Sequence, residues 1–99
     1  MQPRRVLVVD DDGEQRRLYR RFLESHGLEA GSTASGYEAL ELVKDAAVRP
    51  DLIVSDISMP GLDGVVLVKA LRAAPETAAI PVILMTGQDI PQGMMDLAA

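Results

Sequence analysis

Apolar residues in this chain alternate between short unbroken runs and stretches where they recur every three or four positions. Val6-Leu7-Val8-Val9 is an unbroken run, the pattern of a strand covered on both faces of a parallel sheet. Three carboxylates, Asp10, Asp11 and Asp12, follow it, and then Gly13. A helix is predicted from about Glu14 to Ser25, with Leu18 and Phe22 one turn apart on its inner face and Tyr19 and Leu23 beside them. Gly27 is its expected left-handed stop, and Leu28 supplies the hydrophobic contact that folds back. Leu28 to Thr33 reads as a weaker strand, with Gly31 inside it, suited to a sheet edge.

Ser35-Gly-Tyr-Glu38 is a capping box, in which the Ser and Glu side chains each satisfy a free amide at a helix start. That second helix is predicted to run to about Val48 and to bury Leu40, Val43 and Ala47. Leu52-Ile53-Val54 is a third strand stopping at Asp56, where Pro60-Gly61 forces a turn. Asp63 caps a third helix, whose Leu67, Ala70, Leu71 and Ala74 lie at helical spacing before Pro75 ends it. Ile80 to Gly87 is a fourth strand with its proline at the tolerant first position. Pro91 opens a fourth helix through Met94, Met95 and Leu97.

Regular alternation of strand and helix with short loops predicts one α/β domain, a parallel sheet with helices on both faces. The 99 residues provide for one modest core, and 47% apolar with 25% charged residues is an ordinary globular balance. There is no cysteine, which excludes disulfides and thiolate metal sites and fits a reducing cytoplasm. The first apolar run is too short for a signal peptide, and no stretch approaches membrane-spanning length. A net charge of −5 argues against a nucleic-acid surface. Arg4, Arg5, Arg16, Arg17, Arg20 and Arg21 nevertheless cluster early, and read as a solvated helix face or, alternatively, a docking surface.

In such sheets functional groups gather beyond the carboxyl ends of the strands. Those ends carry Asp10-Asp11-Asp12, Asp56 and Thr86-Gly87, all on one rim. Taken singly, an aspartate at a strand end is usually a cap or turn residue. Crowded together, carboxylates repel unless they take up protons or share a cation. Oxygen-only ligands select Mg²⁺ or a similar hard ion. A carboxylate beside such an ion can attack a phosphoryl group and carry it as an acyl phosphate. The Thr86 hydroxyl can donate to one phosphoryl oxygen, and Gly87 leaves room for the incoming group.

At these residues the chain resembles the receiver domains of two-component response regulators. Val8-Val9-Asp10-Asp11 is similar to that family's acidic pair. Asp56-Ile-Ser-Met-Pro60-Gly-Leu-Asp63-Gly64 resembles its phosphoacceptor loop, and Ile80 to Gly87 its switch strand. The resemblance implies a flavodoxin-like, doubly wound sheet of order 2-1-3-4-5. It implies that Asp56 accepts phosphate from the phosphohistidine of a sensor histidine kinase or phosphotransfer protein. Asp11, Asp56 and the main-chain carbonyl of Ser58 would hold Mg²⁺, with Asp10 acting mostly through bound water. Ser58 and Gln88 fall where the family tunes phosphoryl lifetime. The chain would thus be no enzyme beyond catalysing its own aspartyl phosphorylation and dephosphorylation.

The family's fifth strand, with its aromatic switch residue and Lys-Pro, and its fifth helix have no counterpart in residues 1–99. The expectation is therefore an incomplete receiver domain, the amino-terminal part of a longer regulator whose output is not identified by these residues. Without that strand the fourth becomes an edge, which invites a second copy to pair along it or swap elements. A different class also shares part of the pattern: haloacid-dehalogenase-like phosphatases open with Asp-x-Asp-Gly-Thr, which Asp10-Asp11-Asp12-Gly13-Glu14 matches except at the last position. Asp10 would then be the nucleophile and Asp12 the acid–base. A third reading is a pseudo-receiver that binds partners without being phosphorylated.

Overall fold

A computed structural model of the chain describes residues 4–85. Four strands, β1 (Arg5–Val9), β2 (Glu29–Thr33), β3 (Leu52–Asp56) and β4 (Val82–Met85), alternate with helices α1 (Gly13–Ser25), α2 (Gly36–Val43) and α3 (Gly64–Ala73). All strand pairs are parallel, in the order β2-β1-β3-β4. Side chains along β1 and β3 point alternately to two separate cores. Leu7, Val9 and Ile53 pack with Ala39 and Val43 of α2 and Leu67 and Leu71 of α3. Val6, Val8, Leu52 and Val54 pack with Tyr19 and Leu23 of α1. The two-sided burial explains why these strands read as unbroken apolar runs. Strand β2, with its Gly31 and polar end, lies at the edge as its composition demands.

Helix ends follow local chemistry. Asp12, Ser35 and Asp63 cap α1, α2 and α3 through hydrogen bonds from the amides of Glu14, Glu38 and Val66. Glu38 Oε2 reaches back to accept from the Ala34 amide at 2.7 Å, one residue before the cap, a shifted form of the capping box. At the end of α1, Gly27 adopts φ 82°, its amide donates to Glu24 O, and Leu28 N donates to Leu23 O. This pair of bonds is the predicted glycine stop.

The inner face of α1 is rotated from the predicted one. Tyr19 and Leu23 are fully buried, Phe22 is half-buried, and Leu18 is 47% exposed. Adjacent helical residues differ by about 100°, so a face centred on Tyr19 and Leu23 turns Leu18 away from the described sheet. Helix α2 also stops at Val43, short of the predicted Val48, and Ala47 is exposed. Local bonds end it: Asp45 N closes a tight turn onto Leu42 O, and Asp45 Oδ1 takes the Ala47 amide. Arg49 Nε then reaches back to Val43 O at 2.7 Å, satisfying a terminal carbonyl. Leu40 is half-buried, packed against the core that holds Val43. The predicted fourth helix lies outside the described residues.

Asp51, just before β3, binds the first strand to the third. Its Oδ2 accepts from the amides of Arg4 at 3.0 Å and Arg5 at 2.9 Å. These bonds, first Arg5 and then Arg4, hold its carboxyl below the ordinary value of 3.8. A group with a lowered folded value stabilises the fold fully above its unfolded value, and that contribution is lost as pH falls through the folded value. Asp51→Ala is therefore expected to cost about 1 kcal/mol at neutral pH, the low end for a charged acceptor because the site is exposed. In acid the difference from wild type closes. Urea denaturation followed from pH 7 downward into acid checks both statements.

Candidate functional site

The register of the sheet builds the site. Val9 of β1 pairs with Ser55 of β3, so the next residues, Asp10 and Asp56, emerge side by side at the carboxyl ends of the two central strands. Asp10 N donates to Thr33 O at 3.2 Å, carrying the ladder one residue beyond β1. Carboxylate oxygens of Asp10, Asp11 and Asp56 all lie within 4.8 Å of one another. Asp10 is buried, Asp56 half-buried and Asp11 exposed, so the cluster runs from the sheet to solvent.

Such crowding is costly. Two unit charges at this separation repel by about 3 kcal/mol at an effective dielectric near 20. Burial above all pushes the Asp10 carboxyl above its ordinary value, with the charges of Asp56, Asp11 and Asp12 adding to it. The Asp12 amide opposes this rise by donating to Asp10 Oδ1 at 2.9 Å. Arg16 Nη1 donates to the Asp10 carbonyl at 2.7 Å. The donor set is three carboxylates with no histidine or cysteine, which is compatible with a hard divalent cation.

The loop after β3 presents Asp56. Ile57 N donates to Met85 O at 3.0 Å, and Gly64 N to Ile57 O at 3.1 Å. Met59 and Leu62 are buried in the core under α2 and α3, while Ser58 and Pro60 stay exposed. Ser58 N donates to Asp56 Oδ1 at 3.2 Å, which fixes the carboxylate's orientation. Gly64 admits a close approach: a Cβ there would stand 2.6 Å from Asp56 O and 3.0 Å from Ile57 Cα.

Among the site residues expected from sequence, Asp10, Asp11, Asp56 and Ser58 come together. Thr86, Gly87 and Gln88 lie outside the described residues. Asp12 stands apart from the cluster and caps α1, its Oδ1 accepting from Glu14 N at 2.9 Å. In the phosphatase pattern Asp12 would be the acid–base; here its Oδ1 is taken up in capping α1. Arg16 was hidden in the arginine-rich stretch: its neighbours Arg17, Arg20 and Arg21 are exposed, but it is half-buried and bonded to the Asp10 backbone. Its place in the first turns of α1, directly after the acidic run, was the only signal.

A family model for the response regulator receiver domain matches residues 6–98. The chain belongs to that family. Response regulator MprA of Mycolicibacterium vanbaalenii is 39% identical over 87 residues, covering 88% of this chain and 36% of MprA. The polar-differentiation response regulator DivK of Brucella anthropi is 38% identical over 84 residues, covering 85% of this chain and 67% of DivK. The chain thus spans about a third of one relative's length and two thirds of the other's. Among solved structures, the N-terminal domain of a response regulator receiver protein from Methanoculleus marisnigri superposes with a TM-score of 0.79 at 30% identity, covering 93% of this chain and 73% of that one. The chain is a receiver domain of the two-component kind, with a flavodoxin-like fold, and receiver domains work with histidine kinases. No helix among the described residues is long and apolar enough to cross a membrane.

Proposed function

We propose that this receiver domain is switched by phosphorylation of Asp56 in the cytoplasm. A carboxylate oxygen of Asp56 attacks the phosphorus of a phosphohistidine on a sensor kinase or phosphotransfer protein. The phosphorus–nitrogen bond breaks, the imidazole nitrogen takes up a proton, and an acyl phosphate remains on Asp56. The observation that carries this reading is the convergence of Asp10, Asp11 and Asp56 within 4.8 Å around a half-buried carboxylate at the end of β3. Asp11, Asp56 and the Ser58 main-chain carbonyl are the residues to hold Mg²⁺, with Asp10 contributing mainly through water. Bound there, the ion would neutralise charge on the carboxylates and on the phosphoryl oxygens. Thr86 donates its hydroxyl to a phosphoryl oxygen, Gly87 leaves space for the group, and Ser58 and Gln88 set its lifetime. The only reaction catalysed is the domain's own phosphorylation and the hydrolysis that reverses it. The phosphorylated conformation then passes the signal to an output.

Acetyl phosphate with Mg²⁺ tests this by intact mass. Wild type is expected to gain one phosphoryl group and Asp56→Asn none. Labelling that persists in Asp56→Asn but disappears in Asp10→Asn would move the nucleophile to the first strand. A folded wild type that takes no label would leave a partner-binding pseudo-receiver.

A further inference from the structure

The outer side of the Asp56 loop is covered by a residue from another helix. Tyr37, the second residue of α2, brings the hydroxyl-bearing edge of its ring to Gly61: a Cβ at Gly61 would fall 3.1 Å from Tyr37 Cε2, 3.7 Å from its hydroxyl oxygen and 3.9 Å from Cζ. Gly61 has φ 78°, so glycine serves both the turn and the approach of the ring. One residue earlier, Gly36 sits so close to Leu62 that a Cβ there would stand 3.0 Å from the Leu62 carbonyl. The start of α2 is itself firmly set, by its Ser35–Glu38 capping box and by Thr33 O, which accepts from Asp10 N. The loop is thereby gripped from two sides. Met59 and Leu62 hold it inward, and Tyr37 closes over its outward tip.

We infer that Tyr37 is a positioning residue for the phosphoacceptor loop, acting through Gly61 to keep Ser58 and Asp56 in place for the divalent cation. This rests on the reading of Asp56 and its neighbours as the cation and phosphoryl site. Tyr37 is 61% exposed, so most of its surface does not serve the core. A tyrosine ring has few rotamers to freeze, which makes it an economical clamp on a flexible turn. Movement of the turn would carry Ser58, whose amide orients Asp56 Oδ1 from two residues away. Sites of this kind lose function when ligands drift by about half an ångström.

The test compares Tyr37→Ala with Tyr37→Phe by Mg²⁺ titration and by amide hydrogen exchange without Mg²⁺. Tyr37→Ala is expected to weaken Mg²⁺ binding about threefold to tenfold, at or below the range typical of residues that support metal ligands. Its exchange is expected to quicken at residues 57–62 while the α2 amides stay protected. Tyr37→Phe, which keeps the ring, restores both. Gly61→Ala supplies a second route: its effect on exchange is expected to be smaller in the Tyr37→Ala background, where no ring opposes the new methyl. Wild-type Mg²⁺ affinity and loop exchange in Tyr37→Ala would overturn the inference and leave the Asp56 site standing. Faster exchange throughout α2 with unchanged affinity would reduce Tyr37 to a helix-packing residue, and the inference would fail. A wild type that binds no Mg²⁺ would overturn both this and the reading beneath it.

Discussion

Asp10→Asn is expected to make the Mg²⁺-free protein more stable while weakening its hold on the cation. Burial first, and then the charges of Asp56, Asp11 and Asp12, raise the Asp10 carboxyl above its ordinary 3.8. Above its unfolded value, such a group binds more protons folded than unfolded, so stability falls as pH rises through the folded value. The penalty is absent in acid and complete at neutral pH. Asparagine removes the charge but keeps an oxygen for the Asp12 amide, so relief of about 1 kcal/mol is expected. Mg²⁺ affinity is expected to fall about tenfold, the cost of losing a supporting carboxylate, and further in Asp11→Asn. Asp12→Asn keeps its cap and should leave both quantities near wild type. Urea denaturation in chelator and then in Mg²⁺ reads all of this. At saturating Mg²⁺, tenfold weaker binding forfeits about 1.4 kcal/mol of the ligand's stabilisation, so the advantage of the variant disappears. A variant less stable than wild type in chelator would mean that Asp10 is compensated within the fold.

Gly64→Ala is expected to be the most damaging glycine-to-alanine change among the described residues. The added Cβ would meet Asp56 O at 2.6 Å, Leu84 Cδ2 at 2.9 Å and Ile57 Cα at 3.0 Å. Two of these are backbone atoms in the segment that presents the phosphoacceptor, so no rotamer change clears the space. Helix α3 must tilt off the sheet or the loop must shift. A loss of about 2 kcal/mol is expected, which for a domain of this size lowers the melting temperature by roughly 10 °C. Mg²⁺ binding should weaken in the same variant, because Asp56 moves with its carbonyl. Gly13→Ala is the control. There the new methyl meets only the guanidinium end of Arg16, at an ordinary contact distance of 3.4 Å, and a gain of about 0.5 kcal/mol is expected.

What the sequence made legible is what local chemistry decides. Unbroken apolar runs marked β1 and β3, and Gly31 with its polar neighbours marked β2 as an edge. Ser35, Asp63 and Gly27 announced helix ends because each satisfies backbone groups within a few residues. The triad of Asp10, Asp11 and Asp56 followed from parallel topology, which sends strand ends to one rim. Errors arose where distant contacts or competing local bonds decide. Leu18 and Tyr19 are equally plausible inner residues until the sheet chooses one. Helix α2 was overextended because Asp45 and Arg49 end it with side-chain bonds that hydrophobic spacing does not encode. The packing of Gly36 and Tyr37 against the Asp56 loop joins segments about 25 positions apart, and no periodicity reports it. Asp12 shows the reverse case, a carboxylate within the acidic run whose work is to cap a helix.

The most direct test of Asp56 as phosphoacceptor is chemical mapping of the modified residue. Borohydride reduces an acyl phosphate to an alcohol, so a phosphorylated aspartate becomes homoserine while free carboxylates are left intact. After acetyl phosphate and Mg²⁺, peptide mapping should find homoserine at position 56 alone, and none when Mg²⁺ is chelated. Homoserine at Asp10 or Asp11, or none anywhere in folded, Mg²⁺-loaded protein, would contradict the account.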